Sequence, residues 1–265
     1  MFNGSYSFFD YKYNIEGYNG QDFGSIAQYI YLFSAILLMI LLLIIFKKSS
    51  KEKVITITKI ITFFLLILDI VKVAWESYYD IKQTGSFNTG LLPFDTCSMI
   101  IPAGLLVILA KGKIKEYSKC WIATASIVGG IANMLFLNAL KYYPFLTFGA
   151  FYSMIWHFLM VFIGLLYIVN NFVDIKYKTI IKGFIFHFII SLIIIPIDII
   201  FNFDFMMYIN LGGIPIFENV ASYLTSINLG FLNPIMMLIL YYISFNIVFL
   251  IPMGIKKLLG IKNKK

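Results

Sequence analysis

The sequence predicts an all-α polytopic membrane protein, a seven-transmembrane-helix bundle with its N-terminus outside and its C-terminus in the cytoplasm. Three observations predict it. Of the 265 residues 60% are hydrophobic and only 13% charged, and the mean hydropathy of +0.87 lies far above that of a soluble domain. Apolar runs of spanning length recur along the chain, and lysines collect in alternate connections between them. All 21 basic residues are lysine, beside abundant Ile, Phe, Asn and Tyr, the pattern of an AT-rich genome more than of a basic function. The net charge of +8 therefore implies no nucleic-acid partner: these lysines orient helices in the bilayer.

A bilayer core takes roughly 20 apolar residues of helix to cross. That measure gives spans near 26–46, 54–79, 92–110, 120–140, 145–170, 180–202 and 231–252. The segment before the first span is polar and aromatic, without the basic start or small-residue cleavage site of a signal peptide, and reads as interfacial. "KKSSKEK", "KGKIKEYSK", "DIKYKTIIK" and "KKLLGIKNKK" together hold sixteen lysines, against Lys12, Lys82 and Lys141 in the other connections. The positive-inside rule then fixes the orientation, a multi-pass protein of the cell membrane. No fixed-period repeat or dividing linker interrupts residues 1–265, so one integral membrane domain is expected. The long connection 203–230 is placed outside, broken at Gly212, Gly213 and Pro215, with an amphipathic helix over 217–228. It either covers a cavity mouth as a lid or lies on the headgroups. Cys97 and Cys120 are too few for a disulfide framework and fall near opposite faces, so both are expected as thiols.

A charge in mid-membrane costs about 2.5–3.5 kcal/mol on insertion scales and needs a partner or a function. Asp69, Lys72 and Glu76 follow i, i+3, i+7 on one face of the second helix. Lys72 can pair with either carboxylate, which leaves one negative charge in excess. By the orientation above these three lie in the outer half. So do Asp95, Thr96 and Cys97 at the start of the third helix, and Asn133 and Asn138 in the fourth. His157 sits near the middle of the fifth helix, Asp198 ends the sixth, and Asn228 and Asn233 open the seventh. Snorkelling at helix ends accounts for Glu76, Asp95 and Asp198, but not for the deeper Asp69, Lys72 and His157. An outward-opening cavity is expected, lined by Asp69, Lys72, Glu76, Asn133, Asn138, Asp198 and Asn233, while the inner half holds little beyond Lys59 and His187.

Cys97 and His157 are the pair a nucleophilic mechanism wants, because a thiol needs a base or a favourable field to react. Pro93 suits the first helical turn before it, and either Asp95 or Asp69 could orient the imidazole. Packing is the ordinary role of a lone membrane Cys or His. Two histidines at different depths make no zinc site and no Gly-rich phosphate loop is present, so neither metal nor cofactor is expected. The last helix lacks a Schiff-base lysine and the chain lacks arginine, which excludes a retinal protein and a G-protein-coupled receptor.

In "LLPFDTCSM", Leu92, Pro93 and Cys97 match a Leu-Pro-x-His-x-Cys pattern. "SIVGGIANML" followed by "WHFLMVFIGLLYI" supplies a Gly-rich helix and then His157, and "NFDFMMYINLGGIP" is a looser match to an Asn- and Tyr-containing stretch before the last helix. From the second helix to the end, the layout resembles the YwaF-like bacterial integral membrane proteins, whose eukaryotic relatives are the transmembrane protein 164 acyltransferases. The resemblance implies transfer of phospholipid acyl chains through an acyl-Cys97 intermediate, with His157 as base and then acid. Asp95 stands where the pattern has its histidine, so that imidazole's role is absent or falls to a carboxylate. Membrane phospholipids are then the partners; no protein partner is indicated. Two other readings stand beside this one. A substrate-binding subunit of a small-molecule or ion uptake system would also have an outer pocket with a lid, though the first helix lacks the Ala-x-x-x-Ala pattern by which such subunits dock. A non-catalytic structural membrane protein would pair its charges in a dry interior.

Overall fold

The computed structural model describes residues 6–12, 15, 20, 24–136, 139–211 and 215–258. It is all-helical, with no strand among the described residues. Among the described residues six helices are long and apolar enough to cross a membrane: Ile26–Phe46, Lys51–Thr84, Gly112–Tyr142, Phe148–Val169, Tyr177–Phe201 and Gly230–Leu250. The chain is a multi-pass membrane protein.

Caps set the first two helices. Ser25 accepts from Gln28 N at the start of α1 (Ile26–Phe46), and Ser50 accepts from Lys53 N at the start of α2 (Lys51–Thr84). Gly85 closes α2 in the left-handed region, φ 74°, where a side chain is strained. With 34 residues α2 is about 51 Å long at 1.5 Å per residue, well beyond a hydrocarbon core of about 30 Å. The stretch expected to span 92–110 differs: only α3 (Ile100–Leu109) is helical, about 15 Å long. Before it, residues 95–99 run as tight turns, with Ser98 N donating to Asp95 O (2.9 Å), Ile100 N to Cys97 O (3.4 Å) and Ile101 N to Ser98 O (3.1 Å). These three bonds are of the i to i+3 kind and Pro93 lacks an N–H, so hydropathy overstates the helix here.

The remaining elements are α4 (Gly112–Trp121), a π-helical stretch (Ile122–Ser126), α5 (Ile127–Phe136), α6 (Ala139–Tyr142), α7 (Phe148–Val169), α8 (Tyr177–Phe201), α9 (Pro215–Ser226) and α10 (Asn233–Leu258). The amphipathic helix expected over 217–228 is α9, starting and ending two residues earlier. Gly212 and Gly213, named above as breaks, lie outside the described residues.

The chain packs as two compact units, residues 1–92 with 129–172 and residues 93–128 with 173–265. In the first, α1 and α2 pack against α7. Tyr31, Ala35 and Met39 form the buried stripe of α1, and Val54, Thr58, Ile61, Leu65 and Leu68 that of α2. The opposite face of α1, with Phe33, Leu37, Ile40 and Ile44 exposed, suits lipid. Gly130 lets α5 approach α7 closely: a Cβ there would lie 2.6 Å from Val161 Cγ2 and 2.8 Å from His157 O. In the second unit α3 packs on α4, and α4 and α10 pack on α8. Gly183 of α8 meets Thr124 and Cys120 as closely, and the Lys182–Glu116 ion pair ties α8 to α4.

Gly130→Ala is expected to lower the melting temperature of the purified protein, at a cost of about 1–3 kcal/mol. Val161→Ala should relieve only part of it, because the His157 carbonyl cannot move aside.

Candidate functional site

In the first unit the expected charge triad resolves into two bonded groups. Lys72 Nζ pairs with Glu76 Oε2 at 2.9 Å and lies 5.7 Å from the Tyr152 ring centroid. Asp69, buried on α2, accepts instead from the Tyr152 hydroxyl at 2.8 Å. The carboxylate in excess is therefore Asp69, partnered by a neutral donor. The same device recurs along α2, where the Tyr143 hydroxyl reaches Glu76 Oε1 at 3.5 Å and the Tyr11 hydroxyl donates to Asp80 Oδ1 at 2.8 Å. Positions 69, 76 and 80 are i, i+7 and i+11, one stripe of the helix. A groove of about 330 Å³ lies at the far end of that stripe, lined by Asp80, Thr84, Ser86, Phe87, Asn88 and Thr89.

His157 is buried on α7, with Nδ1 at 2.7 Å from the carbonyl of Ser153. A carbonyl only accepts, so Nδ1 carries the proton and the neutral ring keeps its lone pair on Nε2. No described residue bonds Nε2. The Ser153 hydroxyl donates to Asn133 Oδ1 at 3.4 Å, so α5 and α7 bring Asn133 beside His157. Asn138 lies outside the described residues.

Cys97 belongs to the second unit, half-buried in the turns before α3. Cys97 and Cys120 are thiols, not a disulfide. Asp95 is exposed, and its backbone carbonyl accepts from Ser98 and Met99. Thr96 Oγ1 lies 2.6 Å from the Tyr241 hydroxyl of α10, a hydroxyl within electrostatic reach of Asp95 and Cys97. The Tyr241 ring centroid is 4.3 Å from that of His187. Trp121 Nε1 donates to His187 Nδ1 at 3.4 Å, and indole is only a donor, so the neutral ring has its proton on Nε2. That proton points to the Tyr208 hydroxyl, 3.3 Å away. Tyr208 bonds Ser191 Oγ, which donates to the His187 carbonyl at 2.8 Å. Burial pushes the Tyr208 hydroxyl up to about 12, so it stays a donor at neutral pH.

Asp198 and Asn233, expected to line the cavity, are buried in this unit. Asp198 Oδ1 accepts from Phe205 N at 3.2 Å and Asn233 Nδ2 donates to Ile209 O at 2.8 Å, so both hold the 203–211 segment. Among the described residues Asp198 Oδ2 and Asn233 Oδ1 have no hydrogen-bond partner.

Of the expected residues, Asp69, Lys72, Glu76, Asn133 and His157 fall in the first unit and Asp95, Cys97, Asp198 and Asn233 in the second. The histidine described in the same unit as Cys97 is His187. Its hydroxyl neighbours Tyr208, Tyr241 and Ser191 escape a search for charges, since tyrosine reads as an apolar residue in a hydropathy window; the signal for them is a Tyr at the depth of a His. No protein-family model, curated protein or solved structure matches the chain.

Tyr152→Phe is expected to destabilise the first unit by roughly 1–3 kcal/mol, because it leaves a buried carboxylate without its donor. Adding Asp69→Leu should recover most of that loss in a detergent melting assay.

Proposed function

We propose that the chain is a membrane-embedded acyltransferase of the cell membrane, acting on phospholipid acyl chains with Cys97 as nucleophile and His157 as base. His157 carries this reading: its Nδ1 proton is committed to a carbonyl, which leaves Nε2 as the acceptor a general base needs. Cys97 Sγ attacks the ester carbonyl carbon of a donor phospholipid as its proton passes to the base, the role that the resemblance gives His157. The ester C–O bond breaks, and the departing lysophospholipid oxygen takes that proton. An acceptor hydroxyl then attacks the thioester carbon and gives its proton to that base. The C–S bond breaks, and the thiolate recovers the proton. Asp95, exposed where the family pattern has histidine, is left to act on the approaching headgroup rather than as a buried orienting group.

The topology we propose has seven crossings, N-terminus outside and C-terminus in the cytoplasm. The lysine distribution requires residues 95–109 to cross. Tight turns at about 2 Å per residue over 95–99, followed by ten helical residues at 1.5 Å each, reach roughly 25 Å, near the core thickness. The 203–230 connection is then outside.

Asp69 favours a second reading, a substrate-binding subunit of an uptake system. A buried membrane carboxylate whose described partner is a phenol has no cation opposite it, which is what a cation site requires. Stabilisation by sodium or ammonium ions in the native chain, lost in Asp69→Asn, supports that reading; equal melting with and without the ions removes it.

Comparison of acyl-chain distributions in membranes holding the native chain, Cys97→Ala, His157→Gln or His187→Gln tests the first. Cys97→Ala should abolish the change the native chain makes, and His157→Gln should slow it about 100-fold or more, with His187→Gln retaining the base. Identical distributions with the native chain and Cys97→Ala overturn acyl transfer.

A further inference from the structure

We infer that Tyr241 is the positioning residue of the Cys97 turn, tying it to the 203–211 segment; its importance for catalysis rests on the acyl-transfer reading, whereas the geometry does not. α3 has no side-chain cap at its N-terminus; backbone turns set the chain path over 95–99 but do not fix the Thr96 side chain. A tie to that side chain comes from α10. The Tyr241 hydroxyl lies 2.6 Å from Thr96 Oγ1 and 3.3 Å from the Met206 carbonyl. It has one proton, and Met206 O can only accept. Tyr241 therefore donates to Met206, and Thr96 donates to Tyr241.

Two consequences follow from that direction. With its proton spent on Tyr241, the Thr96 hydroxyl cannot donate to a nearby backbone carbonyl, which would tighten the turn and turn Cys97 away. The Tyr241 ring is itself held, 4.3 Å from the His187 ring, whose two nitrogens are engaged by Trp121 and Tyr208. Tyr208 also belongs to the 203–211 segment, so that segment reaches Tyr241 twice, through Met206 O and through His187. A movement of 203–211 would reach Cys97 through one hydroxyl.

The test reads the thiol directly, in the full chain in lipid nanodiscs with Cys120→Ser to leave one reactive cysteine. The alkylation rate of Cys97 by N-ethylmaleimide is measured across pH. Tyr241→Phe and Thr96→Val should each change it about five-fold, the size of one net hydrogen bond. The double variant should change it no further, since both remove the same bond, and Thr96→Ser should behave as the native chain. Tyr167→Phe removes a buried bond to Thr58 Oγ1 in the first unit and should lower the melting temperature without altering the rate, which separates positioning from stability. Unchanged rates in both single variants, or effects that multiply in the double variant, overturn the proposal. Coupled rates in a chain that transfers no acyl groups would keep the positioning and reject the acyl-transfer reading.

Discussion

Hydrocarbon offers no water to a buried polar group, so each one brought into the membrane must find its partner inside the protein. This chain meets that constraint largely with tyrosine. The stripe of α2 bears Asp69, Glu76 and Asp80, and each meets a phenol, from Tyr152, Tyr143 and Tyr11. In the second unit Tyr208 engages His187 and Ser191, and Tyr241 engages Thr96. A phenol suits both needs: its ring packs among apolar helices, and its hydroxyl donates without adding a charge. Lys72 is an ionic partner in this stripe, at Glu76.

What those pairings leave over is as informative as what they satisfy. His187 has both nitrogens engaged and reads as a structural hub. His157 has one nitrogen held by its own helix and the other without a bond from any described residue. The difference follows from their neighbours: an indole and a phenol on two sides of His187, a backbone carbonyl four residues back for His157. The proposal of acyl transfer gives His157 the proton-handling role on this ground, and treats the tyrosines around Cys97 as the frame that holds the thiol.

Composition and lysine spacing were enough to read the helical class, the multi-pass character and the bounds of five long helices to within about five residues, because each depends on local hydropathy; the helix expected at 120–140 starts eight residues earlier, at Gly112. The stretch 92–110 shows where that reading fails. Its average hydropathy is that of a span, but the backbone closes in turns over 95–99 after Pro93, and the Thr96 hydroxyl bonds Tyr241 of α10, local features that an average does not register. The triad of α2 was legible as a face, since i, i+3 and i+7 spacing is geometry; which carboxylate Lys72 would choose was not, because the choice turns on Tyr152, 83 positions away. Cys97 and Asp95 drew attention through their own chemistry, whereas Tyr241 and Tyr208 matter only through what they touch.

The most direct measurement is the mass of the Cys97 peptide from protein purified out of native membranes and trapped at acid pH. Acyl transfer predicts a fraction carrying one fatty-acyl mass on Cys97, released by neutral hydroxylamine and enriched in His157→Gln only if thioester formation outpaces its breakdown. A Cys97 peptide found wholly as unmodified thiol, in native membranes and after incubation with phospholipid donors, contradicts the account.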